Sequence, residues 1–127
     1  MNQEDQVRLH EAAHHIIGKH FNLNISKPTY WNHPEYGFLG NCALQVQTDD
    51  KKEDLALMAM AGEGIGYYLS DPDDNYLPIE SWEANKEWIS DSDKELAGTY
   101  PESPEAWDTL FTLFKQYKVE ILQTAYA

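Results

Sequence analysis

Apolar residues recur at helical spacing in the first twenty positions of the chain. They are Val7, Leu9, Ala13, Ile16 and Ile17. Residues three and four apart lie on the same face of a helix, so the spacing predicts a helix over about residues 3–20 with one buried face. Gly18 stands near the predicted end of this helix, where glycine is common.

The pattern changes between Lys27 and Gln47, where aromatic residues are mixed with prolines and glycines. This region ends in the alternating stretch "ALQVQT". Alternation of apolar and polar residues has the period of a strand with one buried face. The segment therefore predicts a small β-hairpin or a two- to three-stranded sheet, and it is the one strand-like region of the sequence.

Residues 51–69 are nearly all apolar and predict a second helix at the centre of the core. Met58 and Met60 are then expected to fill the core. The glycine-rich run "GEGIG", Gly62 to Gly66, lies inside this helical stretch and is not followed by lysine. It therefore does not fit a phosphate-binding loop, and it predicts close packing against another helix.

Three further helices are predicted in the last third of the chain. The stretch "ESWEANKEWI" predicts a short helix, and in "SDSDKELA" the spacing of Ser92 and Glu95 is that of a capping box, which places Asp93 in the first turn of the next helix. Ser103 and Pro104 are suited to begin a final helix that continues to about Ala125. The sequence thus predicts a mainly helical α+β fold, a single domain over residues 1–127 with about four to five helices and a small sheet after the first.

Acidic residues dominate the charge of the chain. Twenty-two Asp and Glu against nine Lys and Arg give a net charge of −13, which opposes binding to nucleic acids and to anionic membrane surfaces. The acidic stretch Asp71 to Asn75 begins like a calcium-binding loop, but Tyr76 occupies the position that requires glycine. A solvated acidic turn is therefore predicted there.

Neither a secretory leader nor a membrane span is evident, so we expect a cytoplasmic protein. Cys42 is the only cysteine, which excludes an internal disulfide and a thiolate-clustered zinc site. Any metal ion must then be held by His, Asp and Glu side chains.

The first helix carries the motif His10-Glu11-Ala12-Ala13-His14. Residues four apart on a helix lie one above the other, so His10 and His14 can offer two imidazole nitrogens to one metal ion. Glu11 is displaced from this pair by one step around the helix, where a carboxylate can act as a general base toward a water on the metal. The motif predicts a hydrolytic zinc site, with His10 and His14 as ligands and Glu11 as the base.

A catalytic zinc site commonly has a third protein ligand. The residues alone leave four candidates: His20, Glu63, Asp91 and Asp93. His20 has the spacing of the extended H-E-x-x-H-x-x-G-x-x-H motif, but Ile17 occupies the place of its glycine. The two aspartates lie at a helix start, a position that carboxylates favour without any metal.

The stretch "HEAAHHIIG", followed by "GNCALQV", "MAMAGEGIGYYL" and "SDSDKELA", resembles the peptidase domain of FtsH-type ATP-dependent zinc metalloproteases. The order and separation of the motifs agree over roughly residues 5–97. The resemblance implies a helical zincin-like fold, a Zn²⁺ cofactor, His10, His14 and Asp93 as zinc ligands, Glu11 as general base, and a peptide or protein substrate.

The chain departs from that family in three ways. It shows no phosphate-binding loop and no membrane anchor, so we expect no ATPase module, and Ala13 stands where the family has glycine. The leading hypothesis is a stand-alone zinc metallopeptidase. The alternative is a catalytically weak or inactive zinc-binding module of the same fold that acts through a protein partner. The sequence also leaves open that the protein forms a homo-oligomer. Trp31, Trp82, Trp88 and Trp107 motivate this alternative, since some of them could form a contact surface.

Overall fold

A computed structural model of the protein describes residues 2–70 and 78–127, in which five α-helices and four short β-strands are found. The helices are α1 (Gln3–His20), α2 (Lys52–Ser70), α3 (Pro78–Ala84), α4 (Asp91–Ala97) and α5 (Pro104–Ala125). The strands are β1 (Asn24–Ile25), β2 (Thr29–His33), β3 (Gly37–Asn41) and β4 (Leu44–Gln45). The predicted mainly helical α+β fold, with a small sheet after the first helix, is confirmed. The predicted acidic turn Asp71 to Asn75 lies outside the described residues.

Helix α1 has the predicted bounds and a well-formed start. The side chain of Asn2 accepts a hydrogen bond from the backbone N–H of Asp5 at 2.8 Å, which satisfies one of the free donors of the first turn. The buried side of α1, which includes Leu9 and Ile17, packs chiefly on α2 and then on α5. The two helices that bury this face also fix the orientation of the histidines beside it.

The strands form two separate two-stranded antiparallel sheets. Strands β2 and β3 form a hairpin in which Trp31 pairs with Leu39, while β1 pairs with β4. The predicted alternating stretch contributes only Leu44–Gln45 to a strand, and Val46 is 55% exposed. Its alternation therefore does not mark a buried face, and the longer hairpin lies earlier in the chain. Short antiparallel pairs of this kind depend on packing against a helix, which α1 provides to β3 and to β1.

Helix α2 is the central core helix, as predicted. Met58 and Met60 are buried, and the backbone of Gly64 is packed so closely that an added Cβ would lie 3.1 Å from Trp107 and 3.2 Å from Leu110 of α5. The predicted close helix packing at the glycine-rich run is thus confirmed.

Serine side chains cap the starts of α4 and α5, and the start of α4 carries Asp93. Asp93 lies in the first turn of α4, as predicted, but the N-cap is Ser90 and not Ser92. Ser90 has an extended backbone and its hydroxyl accepts from the N–H of Asp93, whereas Ser92 is already within the helix. Ser103 caps α5 with Pro104 in its first turn, as predicted. No helix in the described part of the chain is long and apolar enough to cross a membrane.

Candidate metal centre

Three side chains from two distant segments meet at one point beside α1. Nε2 of His14 lies 3.0 Å from Nε2 of His10 and 3.3 Å from Oδ2 of Asp93, and His10 Nε2 lies 3.7 Å from the same oxygen. Among the described residues these three form the one group of His, Cys, Asp and Glu whose ligand atoms are close enough to hold a metal ion. The structure therefore brings together the two histidines of the motif and the aspartate that the family resemblance implied.

The spacing of these atoms fits a small tetrahedral ion. Ligand atoms at the usual zinc distances in a tetrahedron are about 3.3–3.5 Å apart. The three observed separations, 3.0, 3.3 and 3.7 Å, scatter around that value. Two imidazoles and one carboxylate also match the ligand chemistry of catalytic zinc sites. The residues present fit the ion that the sequence predicted.

The imidazole of His14 is held in one orientation by the core helix. Its Nδ1–H donates to the backbone carbonyl oxygen of Met58 at 2.8 Å, and the side chain is buried. A carbonyl oxygen can only accept, so in the neutral ring the proton is on Nδ1 and the lone pair is on Nε2. Such a second hydrogen bond is the usual device that fixes the tautomer of a metal-ligating histidine.

The charges of the site favour an ionised aspartate. Burial raises the pKa of Asp93, but hydrogen bonds and attraction to His10 and to the protonated form of His14 outweigh it and hold this pKa well below its ordinary value. Burial also lowers the pKa of His14, but its hydrogen bond and attraction to Asp93 outweigh this, so the His14 pKa is raised. Asp93 is thus in its anionic form at neutral pH, which is the form that binds a cation.

Gly62 of α2 leaves the space that the histidines face. A Cβ built on Gly62 would lie 2.6 Å from Nε2 of His10 and still closer to Nε2 of His14. Both of these nitrogens are the ligand atoms of the group, so any side chain here would enter the volume that an ion needs. The site therefore depends on glycine at this position of α2.

Glu11 lies beside the ligands but is not one of them. Its Oε1 is 3.9 Å from Nε2 of His10, and the residue is 9% exposed. Its stem passes under β3, where a Cβ on Gly40 would lie 2.9 Å from Cγ of Glu11. The distance allows a single water molecule to bridge the carboxylate and the ligand group, which is the position that the motif predicts for Glu11.

The group opens into a cavity of about 660 Å³. One wall consists of Gly40 to Leu44 with Val46, and the facing wall comes from α4 and includes Glu95 and Leu96. Cys42, just after β3, also lines the cavity. Its thiol donates to the backbone carbonyl of Glu11 at 3.2 Å. Burial, and then the neighbouring Glu11 carboxylate, raise the pKa of this thiol, so Cys42 is a neutral lining residue.

The other predicted candidates for the third ligand have partners elsewhere. Nδ1 of His20 is 2.8 Å from the hydroxyl of Tyr117 on α5, and Glu63 accepts from the hydroxyl of Tyr67 at 3.1 Å. Asp91 is fully exposed and pairs with Lys94 at 3.4 Å. The structure brings none of these three to the histidine pair.

Sequence reasoning missed the backbone groups that build the site. Met58 was expected only as core filler, yet its carbonyl orients His14, and Gly62 was expected to pack on a helix without any reference to the histidines. The signal for Gly62 was present in the glycine-rich run, but the run contains three glycines and does not tell which of them faces α1.

Comparison with known proteins returned no match, either among protein-family models or among curated sequences. The resemblance to FtsH-type peptidases remains a prediction from motif spacing.

Proposed function

We propose that this protein is a zinc-dependent metallopeptidase in which His10, His14 and Asp93 hold the ion and Glu11 is the general base. The observation that supports it best is the convergence of three zinc-type ligand atoms with the Glu11 carboxylate 3.9 Å from one of them. The four residues come from two helices far apart in sequence, so this convergence is a property of the fold.

Zn²⁺ held by His10, His14 and Asp93 would supply Lewis acidity toward a water molecule and a peptide carbonyl. Glu11 accepts one proton from the attacking water and later delivers it to the amide nitrogen of the leaving amine. His14 keeps its lone pair directed at the ligand position because Met58 holds its Nδ1–H. Asp93 contributes the negative charge that offsets the charge of the cation.

The cavity beside the site supports a peptide as the substrate. It is about 660 Å³ in volume, and residues 40–44, from the end of β3 to the start of β4, line part of it. This volume lies within the range that is usual for ligand pockets, so the cavity can accommodate a segment of a peptide. An open cleft at the ligand group favours hydrolysis over a purely structural zinc site, which would be closed.

The test measures zinc content and peptide cleavage together. The wild type is expected to bind one zinc ion and to cleave unfolded polypeptides, and removal of zinc by a chelator is expected to stop cleavage. Glu11→Gln keeps the shape of the side chain but cannot accept the proton, so it should retain zinc and lose about 10²–10⁴-fold in kcat.

Glu120→Gln on α5 serves as a matched control, because it removes an exposed carboxylate from another helix. It should leave zinc content and cleavage unchanged. Zinc bound to Glu11→Gln with undiminished hydrolysis would contradict the proposed role of Glu11.

A second candidate is a zinc-stabilised interaction module of the same fold. It is supported by Trp88, which is 78% exposed, and by Trp31, which is 45% exposed on the hairpin, whereas Trp82 and Trp107 are buried. This candidate predicts zinc binding and zinc-dependent stability without hydrolysis of any peptide. The same measurements therefore separate the two.

We also propose a cytoplasmic location, supported by the free Cys42 and the lack of disulfides. A peptide or protein substrate is the proposed partner, and the acidic charge opposes nucleic acids and anionic membranes.

A further inference from the structure

A second cavity of about 420 Å³ lies between α1 and α2 on the other side of His10. His10 is the one residue that lines both this cavity and the cavity of the candidate metal centre. The volume lies within the range of about 300–1,000 Å³ that is usual for ligand pockets. The second cavity is therefore large enough for a side chain and directly adjoins the proposed site of hydrolysis.

The described residues that line this cavity combine apolar surface with one carboxylate. The apolar part consists of Leu9 and Ile65, both buried, with the backbone of Gly62 and Gly66. The carboxylate belongs to Glu63, and no Lys or Arg is among the lining residues within 2–70 and 78–127. Apolar walls with one negative group suit a long side chain that has a methylene stem and a cationic head.

A chain of hydrogen bonds holds the carboxylate in place. Nδ2 of Asn85 donates to the carbonyl of Ser81 at 2.8 Å, and the amide of Asn85 also bonds the hydroxyl of Tyr67. Tyr67 in turn donates to Oε2 of Glu63 at 3.1 Å. Burial, and then the negative charge of Glu63, raise the Tyr67 pKa, so this hydroxyl remains a donor at neutral pH.

Glu63 has no cationic neighbour in the described part of the chain. No ion pair involves it within residues 2–70 and 78–127, and Gln6, at the edge of the cavity, is neutral. A cation brought by a ligand stabilises a half-buried carboxylate through charge-assisted hydrogen bonds, and part of the desolvation cost of the carboxylate is already met by its burial in the fold. The cavity is thus electrostatically suited to an ammonium or guanidinium group.

We propose that the cavity beside Glu63 is a specificity subsite for a lysine or arginine side chain of the peptide substrate. The basic head pairs with Glu63, and its methylene stem lies along Leu9 and Ile65. This inference rests on the proposed function, since it names the substrate class of the same site: polypeptides with a basic residue near the scissile bond. The acidic surface of the protein, net −13, also favours such substrates.

The binding test uses n-butylguanidinium as the probe and uncharged n-butylurea as its matched analogue. Each is titrated into the full-length protein, with and without added zinc, and followed by NMR shifts of the backbone amides. The guanidinium is expected to shift the amides of Gly62, Gly66 and Tyr67 at concentrations where the urea does not. No binding of the guanidinium, or equal binding of the two probes, would overturn the subsite.

Two variants test the residues that form the cavity. Glu63→Gln keeps the side-chain shape and should weaken guanidinium binding about tenfold, while Glu53→Gln, an exposed change on the same helix, should not. Gly66→Leu should block the cavity, since a Cβ at Gly66 meets no atom within 4 Å and leucine is a good helix former. Binding that survives both Glu63→Gln and Gly66→Leu would overturn the assignment.

A cleavage test separates the subsite from the proposed function. Peptides that differ only in arginine or citrulline are compared, and the ratio of their kcat/KM values should favour arginine and fall about tenfold in Glu63→Gln. Cleavage without any such preference would overturn the subsite while the peptidase stands. No cleavage of any peptide, together with Glu63-dependent guanidinium binding, would overturn the peptidase and leave a binding site for basic groups.

Discussion

A methyl group on Gly62 would lie 2.6 Å from Nε2 of His10. Contacts of this length are shorter than a carbon and a nitrogen can reach without repulsion, and the same methyl would be closer still to His14. Helix α2 therefore approaches α1 at the point where the two imidazole nitrogens meet. The dependence of the candidate metal centre on this glycine can be measured.

Gly62→Ala should weaken zinc binding by at least tenfold, because the added methyl occupies the volume between the ligand nitrogens and displaces at least one ring. Gly66→Ala on the same helix is the matched control, since a Cβ there meets nothing within 4 Å. It should keep zinc affinity and gain up to about 1 kcal/mol of stability from helix propensity. Zinc affinity from chelator competition and urea unfolding of the zinc-free proteins provide the two measurements. Equal zinc affinity in Gly62→Ala and wild type would be evidence against this account.

Asp93 and Asp91 offer a matched pair for testing the third ligand. Asp93 lies 3.3 Å from Nε2 of His14, whereas Asp91, two residues earlier in the same helix turn, is fully exposed. Asp93→Asn removes the anionic ligand and should weaken zinc binding by about 100-fold, from the loss of a charged ligand close to the cation. Asp91→Asn should change it less than twofold. A similar loss in both variants would mean that the net charge of the α4 start, and not ligation, determines affinity.

The helical part of the fold could be predicted because apolar spacing decides which side of each helix is buried. The spacing of Leu9 and Ile17 indicates which face of α1 is buried, and the position of His10 and His14 relative to that face follows from it. The alternation near Val46 was misleading, because this residue is exposed and a period of two has meaning only where one face is buried.

The candidate site could be predicted only where local geometry decides it. The pairing of His10 and His14 follows from helix geometry alone, but the arrival of Asp93 depends on how α4 packs on α2, which local spacing does not encode. The cap of α4 illustrates the same limit. Ser90 with Asp93 and Ser92 with Glu95 have the same spacing, and the extended backbone of Ser90 decides between them.

The thiol of Cys42 should react slowly in the folded protein. Thiolate is the reactive form, and burial, followed by the negative charge of Glu11, raises the Cys42 pKa. We expect alkylation by iodoacetamide at pH 8 to be at least tenfold slower than for the same protein unfolded in urea. Because the folded state holds this proton more tightly, stability should fall as the pH rises above about 8.5, the ordinary value for cysteine. Equal alkylation rates in the two states would contradict the protection of the partly buried Cys42 by its surroundings.

Arg8 links the hairpin that borders the cavity of the candidate metal centre to both terminal helices. Its guanidinium lies 4.9 Å from the ring centre of Tyr30 and 5.1 Å from that of Phe38, and it donates to the backbone carbonyl of Ala125 at 3.2 Å. Arg8→Met keeps much of the stem but loses two cation–π contacts and a charge-assisted hydrogen bond. It should lower the free energy of unfolding by about 2 kcal/mol.

Glu4→Gln separates these contacts from the exposed ion pair of Arg8 and Glu4, whose atoms are 3.2 Å apart. Exposed pairs on one helix contribute about 0.3–0.5 kcal/mol, so this variant should be nearly as stable as the wild type. Urea unfolding of both variants in the zinc-free state measures the difference, and peptide cleavage then reports whether the hairpin still supports Glu11. If Glu4→Gln cost as much as Arg8→Met, the stabilisation would come from the surface ion pair, and the hairpin would be held by its own packing on α1.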